Sequence, residues 1–295
     1  MATACGFPRP ADVGEPMSDA SPDAALPGQS IRSCQALPAT CGAAGQDSCC
    51  TTLTVPSGSF YRRYDEAADA YSGTRDYPAT VSSFRLDKYE VTVGRFRAFV
   101  TAGEGTTQRP PMTGSGEHPA IPGTGWDEAW NPSLNTNTGD LIVALRCAAG
   151  AQTWTDTAGP DDVLPINCVS WFEARAFCAW DGGVLPTATE WNYAAVGGDQ
   201  HRAYPWSHPP ASLTLDDTRA IYSAGPGGPA RPQAVGSRPA GDGRWEQSDL
   251  AGNVAEWTLD WQGALPIPAS TRRAPRRGSA PAVATRTARS TSAPR

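Results

Sequence analysis

Two carboxylates, an amide and a flexible glycine fall within the short stretch Asp249-Leu250-Ala251-Gly252-Asn253-Val254-Ala255-Glu256-Trp257. Gly252-Asn253 is a turn dipeptide, because both residue types adopt positive φ at little steric cost. A turn there aims several backbone carbonyls and the side chains of Asp249 and Glu256 into one small volume. That is the outline of a hard-cation site: Ca²⁺ takes roughly 6–8 oxygen ligands at about 2.3–2.6 Å, and carbonyls serve as well as carboxylates. A turn that holds no metal is the plain alternative.

The elements that must position this stretch are read from caps and spacing. Val55-Pro56-Ser57-Gly58-Ser59-Phe60 reads as a strand, a turn and an aromatic. Phe84–Val91 alternates imperfectly and predicts a strand. Thr92 is placed to N-cap a short helix carrying Phe96, Phe99 and Val100. Ser170 with Glu173 forms a capping box that opens a helix to Trp180, with Phe172, Ala176 and Trp180 on one face; Asp181-Gly182-Gly183 ends it. Thr187 with Glu190 repeats the box and opens a helix through Ala195, stopped at Gly197-Gly198. Glu173 and Glu190 are therefore caps rather than catalytic acids. His118 is expected to be a solvated loop residue. His201 and His208 lie seven apart with no acid or thiol partner between them, which is poor metal spacing.

These blocks, in this order, resemble the sulfatase-modifying factor family, whose founding activity is the formylglycine-generating enzyme. The resemblance runs from about Val55 to Trp261. It is most specific at Leu185-Pro186-Thr187-Ala188-Thr189-Glu190-Trp191 and at Gly252–Trp257; Ala255 stands where the family usually has Trp. The resemblance implies an α+β, C-type-lectin-like fold with little regular secondary structure. It also implies a structural Ca²⁺ held by the side chains of Asp249 and Glu256 and the carbonyls of Gly252 and Val254. The family reaction oxidises a substrate Cys with O₂ on copper held by two thiolates near the C-terminal end, as soft Cu(I) prefers sulfur. No Cys follows Cys178, so no catalytic residue carries over. The family's Arg-Gly-Gly-Ser strand is echoed only by Arg277-Gly278-Ser279, and the C-terminal part reads as incomplete.

Composition fits this picture. The 295 residues include 30 Gly, 28 Pro and 10 Trp, which favours many turns and an aromatic-knitted core over a helical bundle. The net charge is −6, but residues 271–295 carry seven Arg and no acid; the other 270 residues hold 17 basic and 30 acidic groups, a net of −13. An acidic body argues against nucleic acid as the partner, because phosphate contacts need clustered cations. There is no apolar run long enough for a transmembrane helix, no Gly-x-Ser-x-Gly elbow and no phosphate loop.

Four of the eight cysteines fall within Cys34–Cys50, a segment with little apolar content. It reads as a disulfide knot formed in an oxidising compartment; zinc suits the adjacent Cys49-Cys50 poorly. Cys147, Cys168 and Cys178 compete for a further bridge, of which 147–168 would restrict the unfolded chain by about 3 kcal/mol. Residues 1–33 read as a disordered tether. Within it Ala2-Thr3-Ala4-Cys5 is similar to the end of a bacterial lipoprotein signal, making Cys5 a candidate lipid anchor. The expected organisation is tether 1–33, Cys-rich segment 34–52, domain 53–263 and basic tail 264–295.

Two functions follow. The first is an exported, non-catalytic module, periplasmic, outer-membrane-anchored or extracellular, that binds peptide or glycan. The second is a copper-dependent oxidase converting a substrate Cys to formylglycine, with its native C-terminus missing from this sequence.

Overall fold

The structure is a computed structural model and describes residues 4–7, 31–35, 37–67, 75–147, 150–222 and 231–261, with the backbone of 281–284. Short antiparallel strands frame four short helices. β1 (Gly6–Phe7), β5 (Phe84–Asp87) and β2 (Thr52–Val55) form a three-stranded sheet in that order; β3 (Gly58–Tyr61) pairs with β4 (Pro78–Val81), and β6 (Glu256–Trp261) with β7 (Pro281–Ala284). The helices are α1 (Val93–Thr101), α2 (Thr138–Ala144), α3 (Trp171–Trp180) and α4 (Ala188–Ala195). The class is α+β with modest regular secondary structure.

The locally encoded elements form as expected. Thr92 caps α1 by accepting from the Arg95 N–H, and both capping boxes are present, Ser170 with Glu173 and Thr187 with Glu190. α3 differs in its surroundings. Trp171, Ala174, Arg175, Phe177 and Cys178 are all buried, while Phe172, Ala179 and Trp180 are half-open. A helix covered nearly all round has no single core face for the sequence pattern to mark. It lies in the main core with Phe96, Phe99, Trp126 and Trp154. A second core joins α4 to β2, β3 and β5 through Val55, Phe60, Leu86 and Trp191.

All eight cysteines are paired. Cys34–Cys50 and Cys41–Cys49 form the expected knot, and of the three competing cysteines Cys147 pairs with Cys168. Cys5–Cys178 spans a sequence separation of 173. This corrects two expectations. Cys5 is fully buried with its sulfur in that bridge, and a disulfide sulfur cannot carry a thioether lipid. Residues 4–7 are also not a tether: Gly6 pairs with Leu86 on one side and bridges to Val184 on the other. Residues 8–30 of the expected tether lie outside the described residues. In the expected tail, Pro281–Ala284 pairs with β6.

Peptide mapping without reductant is expected to recover Cys5 joined to Cys178, and Cys5→Ser to cost about 2–5 kcal/mol of stability in urea melts. A free or lipid-modified Cys5 would contradict the bridge.

Candidate functional site

The Asp249–Glu256 stretch forms a tight reversal. Asp249, Gly252 and Asn253 all have positive φ, at 58°, 113° and 52°. A Cβ on Gly252 would meet the Ile221 carbonyl at 2.6 Å, so both the conformation and the close approach demand glycine there. Asn253 staples the turn. Its N–H donates to Ile221 O at 2.9 Å, its Oδ1 accepts from Gln233 N at 3.0 Å, and its amide donates to Glu90 Oε2 at 2.7 Å.

Behind the turn the chain buries three carboxylates. Asp249 accepts from Gly236 N at 2.7 Å, and Glu256, at the start of β6, accepts from Trp191 Nε1 on α4 at 2.8 Å. The third, Glu90, follows β5 and accepts from Asn253 and from Val254 N. Among the described residues none of the three forms an ion pair. Burial pushes Glu256 up to about 7, with Asp249 and Asp87 adding to the rise against the Trp191 N–H. Burial likewise pushes Asp249 up to about 6, reinforced by Asp242 and offset in part by the Gly236 N–H and the Arg238 guanidinium. Glu90 stands well above the carboxylate range, first from burial and then from Asp249 and Glu256. Asp249 thus acts through space on both Glu256 and Glu90. Sequence reasoning missed Glu90, treating it as one residue of a strand; an acid between Tyr89 and Val91, in a run otherwise suited to burial, was the available signal.

Among the described residues no group of three or more His, Cys, Asp and Glu side chains could hold a metal ion by itself. An ion at the turn therefore needs backbone carbonyls. The donor set is oxygen-only and anionic, as a hard cation requires, with Arg238 acting on Asp249 only through space. The two-thiolate copper site has no fit here, because every cysteine sulfur is in a disulfide.

The histidines do not converge on a site. His118, expected in solvent, is buried: its Nε2 lies 2.9 Å from Glu190 Oε1 and its Nδ1 accepts from Ala120 N. Both ring nitrogens are engaged, so the ring fastens its loop to the start of α4. Burial pushes Glu190 up, but His118 and Thr187 outweigh it and hold the carboxyl below its ordinary value. His201 accepts from Tyr61 N at 3.0 Å and stacks on the Tyr61 ring.

Comparison with known proteins agrees with these blocks. The family model described as the sulfatase-modifying factor enzyme 1-like domain matches residues 38–291. A hercynine oxygenase of Mycolicibacterium smegmatis is 30% identical, the match covering 74% of this chain and 48% of that protein. A formylglycine-generating enzyme of Thermomonospora curvata is 29% identical over 72% of each chain. A Bos taurus protein named inactive C-alpha-formylglycine-generating enzyme 2 is 28% identical, covering 70% of this chain and 69% of its own. The chain spans about half the length of curated relatives such as the hercynine oxygenase.

Proposed function

Because the chain belongs to the sulfatase-modifying factor family, we propose that it is an exported, calcium-stabilised, lectin-shaped binding module for peptide or glycan that lacks the thiolate-copper oxidation. The observation that carries this reading is the pairing of all eight cysteines. A disulfide sulfur is no thiolate, so the chain has no soft donor pair for Cu(I). The Bos taurus relative named inactive C-alpha-formylglycine-generating enzyme 2 supports a non-catalytic reading. Four disulfides also suit an oxidising compartment, periplasmic or extracellular. Among the described residues no helix is long and apolar enough to cross a membrane.

Asp249 and Glu256, with the carbonyls of Gly252 and Val254, are the residues that would hold Ca²⁺. Ca²⁺ held there would add positive charge beside Asp249, Glu256 and Glu90, none of which has a direct ion pair among the described residues. Asn253 and Gly236 hold the turn in place by their hydrogen bonds, and Trp191 orients Glu256 from α4.

Co-expression with a peptide containing Cys-x-Pro-x-Arg tests the reading. Mass spectrometry is expected to show the peptide thiol intact, and thiol titration of the unfolded, unreduced protein to find no free cysteine. Aldehyde on the peptide would restore the oxidase reading.

A further inference from the structure

A second concave site is lined by Gly236, Asp242 and Ser248 and built largely by the disulfide knot. Its floor is Lys88-Tyr89, just after β5. One wall is the loop closed by Cys41–Cys49, in which Cys41 and Asp47 exchange backbone hydrogen bonds of 3.0 Å each. That loop lies directly on the floor: a Cβ on Gly42, at φ +78°, would stand 2.7 Å from the Tyr89 hydroxyl. The opposite wall is Asp242–Ser248, tied down by the Ser248 N–H donating to Lys88 O at 2.8 Å. Between the walls is an open-mouthed cavity of about 140 Å³, close to the roughly 150 Å³ known to accept a benzene ring.

The charges in this cavity are unevenly matched. Asp47 accepts from Lys88 Nζ at 2.8 Å and from the Tyr89 hydroxyl at 2.7 Å, so Lys88 is spoken for. Asp242 accepts only the Ser248 hydroxyl, at 2.7 Å, and forms no ion pair among the described residues. Burial already raises its carboxyl, with Glu246 adding to the rise and Ser248 and Lys88 opposing it. The pocket therefore offers one half-buried carboxylate wanting a cationic donor, on rigid walls, with room for a short side chain or a chain terminus.

We propose that this pocket binds a protonated primary amine of a peptide ligand, seated against Asp242 between the Cys41–Cys49 loop and Ser248. This rests on the binding-module reading and names the ligand chemistry for it. A charge-assisted hydrogen bond to the carboxylate supplies the affinity, and the crosslinked loop supplies a wall that needs no ordering on binding. A neutral sugar would leave Asp242 without its counter-charge.

The amine has two sources in a peptide, the α-amino group and the lysine ε-amino group. Titrating the full chain by calorimetry with triglycine amide, Nα-acetyl-lysine amide, Nα-acetyl-triglycine amide and N-acetylglucosamine separates them. At least one of the two cationic probes is expected to bind, and the neutral pair to give no heat. Asp242→Asn should weaken the cationic probe about ten- to hundredfold. Ala44→Trp, at an exposed position on the loop, should block the pocket without touching the core. The proposal is overturned if neither amine binds, if a neutral probe binds as tightly, or if binding survives Ala44→Trp. Should Asp242→Asn misfold, the Ala44→Trp arm still decides. Aldehyde formation in the co-expression assay would defeat the non-catalytic reading whatever the calorimetry shows, so the two failures are distinct.

Discussion

Arg95→Met is expected to leave the protein largely unfolded at neutral pH. Arg95 is fully buried on α1 and holds two fully buried carboxylates, Asp87 at 2.9 Å and Asp181 at 2.8 Å. Its Nε donates to Ser33 Oγ at 3.0 Å. The same acids anchor the N-terminal segments: Asp87 accepts from Cys5 N at 3.0 Å, and Asp181 accepts from Ser33 N at 2.6 Å and from Ser33 Oγ at 2.8 Å. Removing one partner of a buried pair costs about 3–5 kcal/mol, because the stranded charge remains. Here two charges are stranded, against a typical total stability of about 5–15 kcal/mol.

The pH dependence gives a second readout. Burial already lifts Asp87 to about 6, with Arg95 holding it down from going higher. Without the guanidinium its folded value rises further. A raised carboxyl contributes stability that is complete below its unfolded value, near 4, and lost as pH rises through the folded value. Arg95→Met should accordingly recover part of its urea midpoint at pH 5 relative to pH 8. Arg95→Lys should fall between, since a single ammonium cannot fork to both acids. A methionine variant as stable as the parent would remove the triad as the tie between the N-terminal segments and the core.

Arg95 also shows where reading the chain alone stops. The capping boxes and the Thr92 cap were legible because the groups that satisfy one another lie about three residues apart, whereas the choice among Cys147, Cys168 and Cys178 stayed open. Arg95 sits among Phe96, Phe99 and Val100 on a helix whose pattern is plain, yet a charge on a short helix reads as solvent-facing until its partner on the far side of the core is known. His118 and Glu190, separated by 72 positions, fall in the same class, as does Cys5, whose small-residue context mimicked a lipid signal while its partner lay 173 residues away. The turn at Gly252-Asn253 was legible from composition; its third carboxylate, Glu90, was not, because only the folded chain brings it against Asn253 and Val254.

That third carboxylate sharpens the expectation for calcium. Three buried acids without a direct ion pair among the described residues are unfavourable when ionised, so the metal-free protein should lose stability as pH rises. Asp249 and Glu256 keep their full contribution below about 4 and lose it as pH passes about 6 and about 7. Ca²⁺ at one hundred times its dissociation constant adds about 2.7 kcal/mol, or about 5–11 °C in melting temperature for a domain of this size. At pH 7.5, calcium added to chelator-treated protein should produce that rise. At pH 5, where protons compete for the same oxygens, most of it should vanish. Mg²⁺ should give less, because it demands six short octahedral contacts and sheds water reluctantly.

Glu256→Gln separates an ion site from a bare acidic turn. It removes a buried charge, so in chelator above pH 7 it should raise the melting temperature of the metal-free protein, while the calcium response shrinks or disappears. If Glu256→Gln stabilises equally with and without calcium, and the parent melts alike in chelator and in calcium, the turn binds no ion. Asp249 and Glu256 then titrate at about 6 and about 7 with no ion competing for their oxygens, and the Asn253 amide and the Val254 N–H hold Glu90 to the turn.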